Sequence, residues 1–379
     1  MKSKKFFYAL SALIGMIIGV GIFGIPYVLA QAGFLIGFFY LVFLCLVVLA
    51  VHLSYGEIIL RTQQDCRLVG YGEKYLGRQG KVSATGIVIF QFYGAMLAYI
   101  IAGGHFLNII FSRFFGGTDF SWALVFFVFG ALAILFGLRT VSASEFLMTI
   151  LLLFLATFFI LKGAPLVNLE NLKGFSLMKF FLPYGVIFFS LTGGAAVPEL
   201  RQILRGQEQK IKKVIILGTV IPAVIYFLFA LVVVGTTGKG TTEDAISGLV
   251  PYLGQNIIVL GAIFGFLAVI TSFLMLGLNL RKMFQLDYKL NKLLAWTLAC
   301  FVPLIVFLAG FNDFIVVIGL IGAVAGGFEG IMTTLIYIKA KRMGDRQPEY
   351  SLKLNKIFVF GMILLFALGI IYQFVYLVK

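Results

Sequence analysis

Residues 14–31 read IGMIIGVGIFGIPYVLAQ, and this stretch decides the fold. It lies in the first apolar run of the chain, yet it carries Gly15, Gly19, Gly21 and Gly24 and then Pro26. Proline has no N–H and clashes with the carbonyl four residues back, here that of Ile22, while glycine lowers the cost of unwinding. The pattern predicts a helix broken in mid-membrane. In hydrocarbon a freed backbone group costs several kcal/mol unless it finds a partner, so irregular backbone is tolerated only around a protein-enclosed cavity. A broken span therefore points to a binding site.

Residues 188–199, FFSLTGGAAVPE, have the same character. Gly193 precedes Pro198 at the spacing that separates Gly21 from Pro26, an offset of 172 residues. Two Gly/Pro-interrupted segments in corresponding positions are the mark of an internal repeat with a site between its halves. Taken singly, each could reflect only close helix packing through small residues. In register, the two favour a site.

Composition sets the class. The chain is 61% hydrophobic and 12% charged, with a mean hydropathy of +1.07, which excludes an ordinary soluble domain. A span needs about 20 apolar residues. Hydropathy marks eleven runs, roughly 7–30, 34–60, 83–111, 121–138, 144–162, 180–198, 212–236, 255–280, 293–311, 314–338 and 357–378.

The expectation is an all-α polytopic membrane protein forming one transmembrane domain over 1–379. An inverted repeat would comprise 7–162 and 180–338, with an extra helix at 357–378. Five spans per half reverse the sidedness of the second half, hence the inversion.

The net charge of +15 does not imply a nucleic-acid partner. With the N-terminus inside, 24 of the 30 basic residues fall on the inner side, the distribution imposed by membrane insertion. The C-terminus is then outside, and the expected location is the plasma (cytoplasmic) membrane, with the lipid bilayer as partner. MKSKK followed by an apolar run resembles a signal peptide, but the run is too long and carries a proline where cleavage needs small residues. The three cysteines lack metal-ligand spacing, and no HExxH or GxSxG motif is present. No enzyme is expected, and no cofactor beyond a coupling ion, sodium or proton.

The second halves of the broken spans should begin near Gly21 and Gly194, each exposing N–H groups at the positive end of a half-helix. Ser190, Thr192 and Gly193 lie just before the second of these. A carboxylate suits such N–H groups, and an ammonium suits the carbonyls left unpaired nearby, so the expected ligand is an amino acid. Tyr93 and Tyr99 in span three are both candidates for a hydroxyl at this site, and sequence alone does not choose.

Thr271 and Ser272 in span eight, with unwound carbonyls at Gly15 and Ile18, would supply oxygens to a hard cation. Glu329 lies in the apolar run GAVAGGFEGIMTTL, where a carboxylate is expensive and marks function by default; protonation, an ammonium contact or a gate are its candidate roles. Glu57 can pair with Arg61 one turn on. His52, alone in an aromatic-rich bundle, reads as a hydrogen-bonded packing residue before a proton relay. Residues 61–81 read as a short amphipathic helix on the inner surface. Arg139 and Glu145 read as inner-boundary residues.

With these residues in hand, the chain resembles the amino acid/polyamine/organocation transporter superfamily. More narrowly, it is similar to the amino acid/auxin permease branch, which includes the sodium-coupled neutral amino acid transporters. The carrying motifs are GVGIFGIP at 19–26, EIILRT with RLVGYGEKYLG at 57–77, and FFSLTGGAAVPEL at 188–200. The resemblance implies a leucine-transporter-like five-plus-five inverted repeat with helices one and six broken.

It also implies a substrate carboxylate against Gly19, Val20 and Gly21, an ammonium near the carbonyls of residues 190–193, and Phe189 as an aromatic gate. The candidate substrate contacts are then Gly19, Val20, Gly21, Ile22, Tyr93, Phe189, Ser190, Thr192, Gly193 and Gly194. A sodium site would be Gly15, Ile18, Ala268, Thr271 and Ser272, with Glu329 in coupling. Two departures stand out. The branch tends to carry asparagine where this chain has Gly15, and span five lacks the interior lysine that serves as a sodium surrogate in proton-coupled relatives.

The expected activity is secondary active symport of a neutral amino acid with a cation by alternating access. The alternatives are a proton-coupled or exchange-type permease, or a non-transporting amino acid sensor or membrane subunit.

Overall fold

The computed structural model describes residues 2–136, 142–286 and 288–378, without side chains at 2–3, 142–145, 255–256, 286 and 376–378. Arg139 and the Glu145 side chain lie outside what is described. Fifteen α-helices follow in order: α1 Lys2–Ile17, α2 Gly21–Ala32, α3 Phe34–Arg61, α4 Leu68–Phe115, α5 Asp119–Phe136, α6 Ser142–Gly163, α7 Leu182–Leu191, α8 Val197–Ile203, α9 Ile211–Thr237, α10 Val250–Leu253, α11 Gln255–Leu286, α12 Lys292–Leu308, α13 Phe314–Leu320, α14 Gly327–Met343 and α15 Lys356–Val378.

Among the described residues eight helices are long and apolar enough to cross a membrane, and a ninth crossing forms when α1 and α2 are taken together. These two meet at a 49° bend across Ile18, Gly19 and Val20. The count falls short of the eleven hydropathy runs for a physical reason. Span six is divided into α7 and α8, of 10 and 7 residues, and α12 has only 17. None of these pieces reaches the length of a full crossing.

The first break falls where the glycines are, with the Gly19 N–H donating to the Ile17 carbonyl at 2.9 Å and α2 starting at Gly21. Pro26 sits inside α2 and does not end it. The second break lies at Thr192 and Gly193, earlier than Pro198 suggests. Pro198 stands in the first turn of α8, where its missing N–H has no intrahelical partner to lose.

The inner segment before span three is helical from Leu68 but continuous with the span. Only Gly77, at φ 72°, interrupts α4, a left-handed conformation that glycine adopts without strain. A π turn, Ile321–Gly326, joins α13 to α14.

At this turn the first half of span six meets span ten backbone to backbone. A Cβ on Gly319's partner Gly185 would lie 3.0 Å from the Gly319 Cα, and one on Gly322 would lie 2.6 Å from the Phe189 nitrogen. No side chain fits in this seam.

The face formed by the C-terminal end of α3, α8 and the connection from α14 to α15 is tied together by polar contacts. Glu57, fully buried, pairs with Arg61 Nε at 2.7 Å, as its spacing predicts, and its other oxygen accepts the Leu352 N–H at 2.6 Å. The Tyr350 hydroxyl donates to the Leu53 carbonyl at 2.7 Å, and the Asp345 N–H donates to the Arg61 carbonyl at 3.0 Å. The connection from α14 to α15 is thus strapped across the inner end of α3. Nearby, Arg201 pairs with Asp65 at 3.0 Å and Arg67 with Glu199 at 3.2 Å.

Candidate functional site

The two breaks face one another. Gly21 opens α2 directly against Ser190, the penultimate residue of α7, and an added Cβ there would lie 2.7 Å from the Ser190 Cβ. Tyr226 of α9, fully buried, sends its hydroxyl to the Ile17 carbonyl at 2.6 Å and also lies 3.1 Å from the Ser190 carbonyl. One phenol thereby lies within reach of a carbonyl at each break, its single proton shared between them, and the Ile17 carbonyl also takes the Gly19 N–H.

His52 of α3 serves a donor at the second break. The Gly193 N–H reaches its Nε2 at 3.2 Å, and its Nδ1 lies 3.0 Å from the Thr219 hydroxyl.

Between the breaks is a hollow of about 40 Å³. Of the expected substrate contacts, Gly19, Gly21, Phe189, Ser190, Thr192, Gly193 and Gly194 line it. Three others do not. Val20 lines a separate vestibule, and Ile22 is fully buried in the core.

Tyr93 turns to α12, donating to the Leu298 carbonyl at 2.8 Å, while Tyr99 lines the hollow. Six residues carry the helix about 240° round, so the two tyrosines cannot share a face. A Cβ on Gly19 would lie 3.2 Å from the Tyr99 hydroxyl.

A second hollow of about 30 Å³ lies beside α1, lined by Gly15, Thr271, Ser272 and, from α6, Thr149. Ile18 and Ala268 are buried and are not among the residues that line it. The Thr271 hydroxyl donates to the Leu267 carbonyl at 2.9 Å, and Ser272 donates to the Ala268 carbonyl at 3.1 Å. With their protons committed to the helix, both oxygens keep lone pairs for a cation. The Thr149 oxygen would lie 2.8 Å from a Cβ on Gly15, so α6 presents a hydroxyl to this hollow.

Glu329 of α14 is buried, accepts a hydrogen bond from Gln91 Nε2 at 2.7 Å, and puts its other oxygen against Gly194. It lines a small cavity of about 50 Å³ that shares Gln91, Phe92, Gly194 and Ala195 with the central hollow. The carboxylate thus stands at one side of the hollow, beside the second break.

On the other side is a vestibule of about 620 Å³, walled by Val20, Phe23, Phe106 and Phe307 and rimmed by His105, Asp119 and Asp244. His105 bridges the two carboxylates, with Nδ1 at 3.0 Å from Asp119 and Nε2 at 3.2 Å from Asp244. Burial works against the charge of Asp244, but hydrogen bonds from His105, Ser247 and Thr242 outweigh it and lower its pKa. Burial, with Asp313 and Asp244 nearby, raises that of Glu243.

The sequence leaves Tyr99 open against Tyr93, reads His52 as packing before a relay, and does not mark Tyr226, Thr149 or Gln91 for the site. Only the break geometry shows that a tyrosine and a histidine on unbroken helices hold the free backbone.

The model of the Tryptophan/tyrosine permease family matches residues 2–375. A "Tyrosine-specific transport system 1" of Haemophilus influenzae is 26% identical over 88% of this chain and 88% of its own length. A "Glutamine transporter 2" of Aliivibrio fischeri is 24% identical over 84% and 85%. Among solved structures, MhsT in complex with L-phenylalanine superposes with a TM-score of 0.65 at 18% identity, covering 97% of each chain. This last likeness is one of fold, the leucine-transporter-like fold.

Proposed function

This chain belongs to the tryptophan/tyrosine permease family, and from that premise we propose that it imports a neutral, preferably aromatic, amino acid together with a cation by alternating access. It is an amino acid transporter and an integral membrane protein of several helical spans, not an enzyme. The narrower reading is that the spans number eleven in a five-plus-five inverted repeat, 7–162 and 180–338, with the helix at 357–378 outside it. The same reading puts the N-terminus inside and the C-terminus outside, in the plasma membrane. The likeness to the amino acid/polyamine/organocation superfamily and its amino acid/auxin permease branch belongs to it too.

The observation that carries the proposal is the meeting of two interrupted spans at Gly21 and Ser190 around a shared hollow. The backbone N–H groups that open α2 suit a carboxylate. The carbonyls around Thr192 suit an ammonium, and Phe189 and Tyr99 offer ring faces to the side chain.

The hollow of about 40 Å³ holds little more than a water molecule, whose share of liquid volume is about 30 Å³. Substrate entry therefore requires the lining to part. The large vestibule and the knitted inner face fit a state whose access is from outside.

For coupling, the oxygens of Gly15, Thr149, Thr271 and Ser272 suit a hard, oxygen-seeking cation such as sodium. A second coupling reading rests on Glu329, whose buried carboxyl beside Gly194 could carry a proton instead.

Uptake of labelled L-tyrosine, L-tryptophan and L-glutamine into proteoliposomes tests the proposal, with a sodium gradient, a pH gradient or neither. Accumulation of an aromatic amino acid under one gradient is expected. Binding without accumulation under any of them overturns transport in favour of a sensor.

A further inference from the structure

The buried pair His52 and Thr219 lies outside the hollow, yet one of its bonds ends on the hollow's wall. Gly193 N–H can only donate, so His52 Nε2, at 3.2 Å, must be the unprotonated nitrogen. The ring proton is then on Nδ1, which donates to Thr219 Oγ1 at 3.0 Å. The imidazole is thus an uncharged relay of hydrogen bonds from α9 to the break between α7 and α8. His52 is 2% exposed and Thr219 fully buried, so water does not compete for either bond.

The N–H of Gly193 and the carbonyl of Thr192 belong to one trans peptide unit and point in opposite directions. Holding the N–H toward His52 turns the Thr192 carbonyl the other way, and both residues of this peptide line the hollow. Acceptors on either side have partners: the Phe189 carbonyl takes the Thr192 hydroxyl at 2.7 Å, the Gly193 carbonyl takes the Ala196 N–H at 3.0 Å, and the Ser190 carbonyl lies 3.1 Å from the Tyr226 hydroxyl, whose one proton it shares with Ile17.

We propose that His52 is a positioning residue that fixes the Thr192–Gly193 peptide plane so that the Thr192 carbonyl receives the substrate ammonium. The inference rests on the transport reading above and deepens it at that same site. It assigns His52 a part in affinity, where a packing role would touch only stability.

The test is L-tyrosine and L-tryptophan uptake by the full chain in proteoliposomes, with thermal unfolding of the same samples. His52→Gln keeps an acceptor at the ε position, whereas His52→Asn reaches only toward Thr219. Removal of a buried hydrogen bond at the binding peptide is expected to raise KM about tenfold in His52→Asn, with Vmax within about twofold. His52→Gln should restore KM to within about threefold of the parent.

Thr219→Val removes the anchor while keeping volume, and should raise KM by a smaller factor. That variant decides the matter if His52→Asn does not fold. Equal KM values in all folded variants, or equal losses in His52→Asn and His52→Gln that follow melting temperature, overturn the proposal. Absence of uptake by the parent protein under every gradient would instead count against transport itself.

Discussion

Gly21 and Ser190, 169 residues apart in sequence, touch at the two interruptions, with the serine side chain occupying the space a Cβ on Gly21 would need. This contact brings the interrupted backbones to within one side chain of each other, and the first prediction tests it. Gly21→Ala should abolish thermal stabilisation by L-tyrosine at concentrations that stabilise the parent, with expression intact. Because the clash includes the Ser190 Cβ at 2.7 Å, adding Ser190→Gly should restore part of the response, a coupling that contacting residues show and distant ones do not. An unchanged ligand response in Gly21→Ala would sink the assignment.

Tyr226 links the same two breaks through its hydroxyl. Tyr226→Phe leaves buried carbonyls at Ile17 and Ser190 without this donor, at a cost of about 1–3 kcal/mol. Differential scanning fluorimetry should show a Tm lower by several degrees. A Tm equal to the parent's would mean that these carbonyls find other partners.

The two coupling candidates separate cleanly by substitution. Ser272→Ala removes an oxygen from the hollow lined by Gly15 and Thr149, and should raise the sodium concentration for half-maximal uptake by about tenfold or more if sodium is the coupling ion. Glu329→Gln keeps a partner for Gln91 but cannot take up a proton. If the proton is the coupling ion, this variant should lose accumulation driven by a pH gradient while retaining exchange.

The loop that carries Asp244 should depend on pH in a definite direction. Its carboxyl pKa is lowered from the ordinary 3.8, so its contribution to the fold is fully present above that value. The contribution disappears as pH falls through the lowered value. Glu243, raised from 4.5, acts with the opposite sign: its charged form burdens the fold once pH exceeds its raised value. Asp244→Asn should therefore speed hydrogen exchange of residues 241–249 by about tenfold at pH 7. An unaltered exchange rate would show that His105, Thr242 and Ser247 do not hold the loop through this carboxylate.

Much of this arrangement is legible in the sequence because backbone chemistry is. Glycine clusters and prolines at matching offsets locate both interruptions to within a few residues, and α2 begins at Gly21 itself. The second is placed less well, since Pro198 reads as a helix breaker but serves as a helix starter.

What escapes reading is direction. Whether Tyr93 or Tyr99 turns inward depends on the rotation of α4, which no single residue fixes. Likewise the partnership of His52 with Gly193 spans 141 positions and leaves no local pattern. Length hides too: the apolar run 180–198 reads as one span but folds as α7 and α8, neither long enough to cross a membrane alone.

The glycine seam between α7 and the π turn has a mechanical consequence. With no side chain to tilt or compress between Gly185, Gly319 and Gly322, the two helices mesh like gear teeth without backlash. Any swivel of one must be taken up at once by the other, so a tug on the connection beyond α14 would be felt at the amino acid's doorstep.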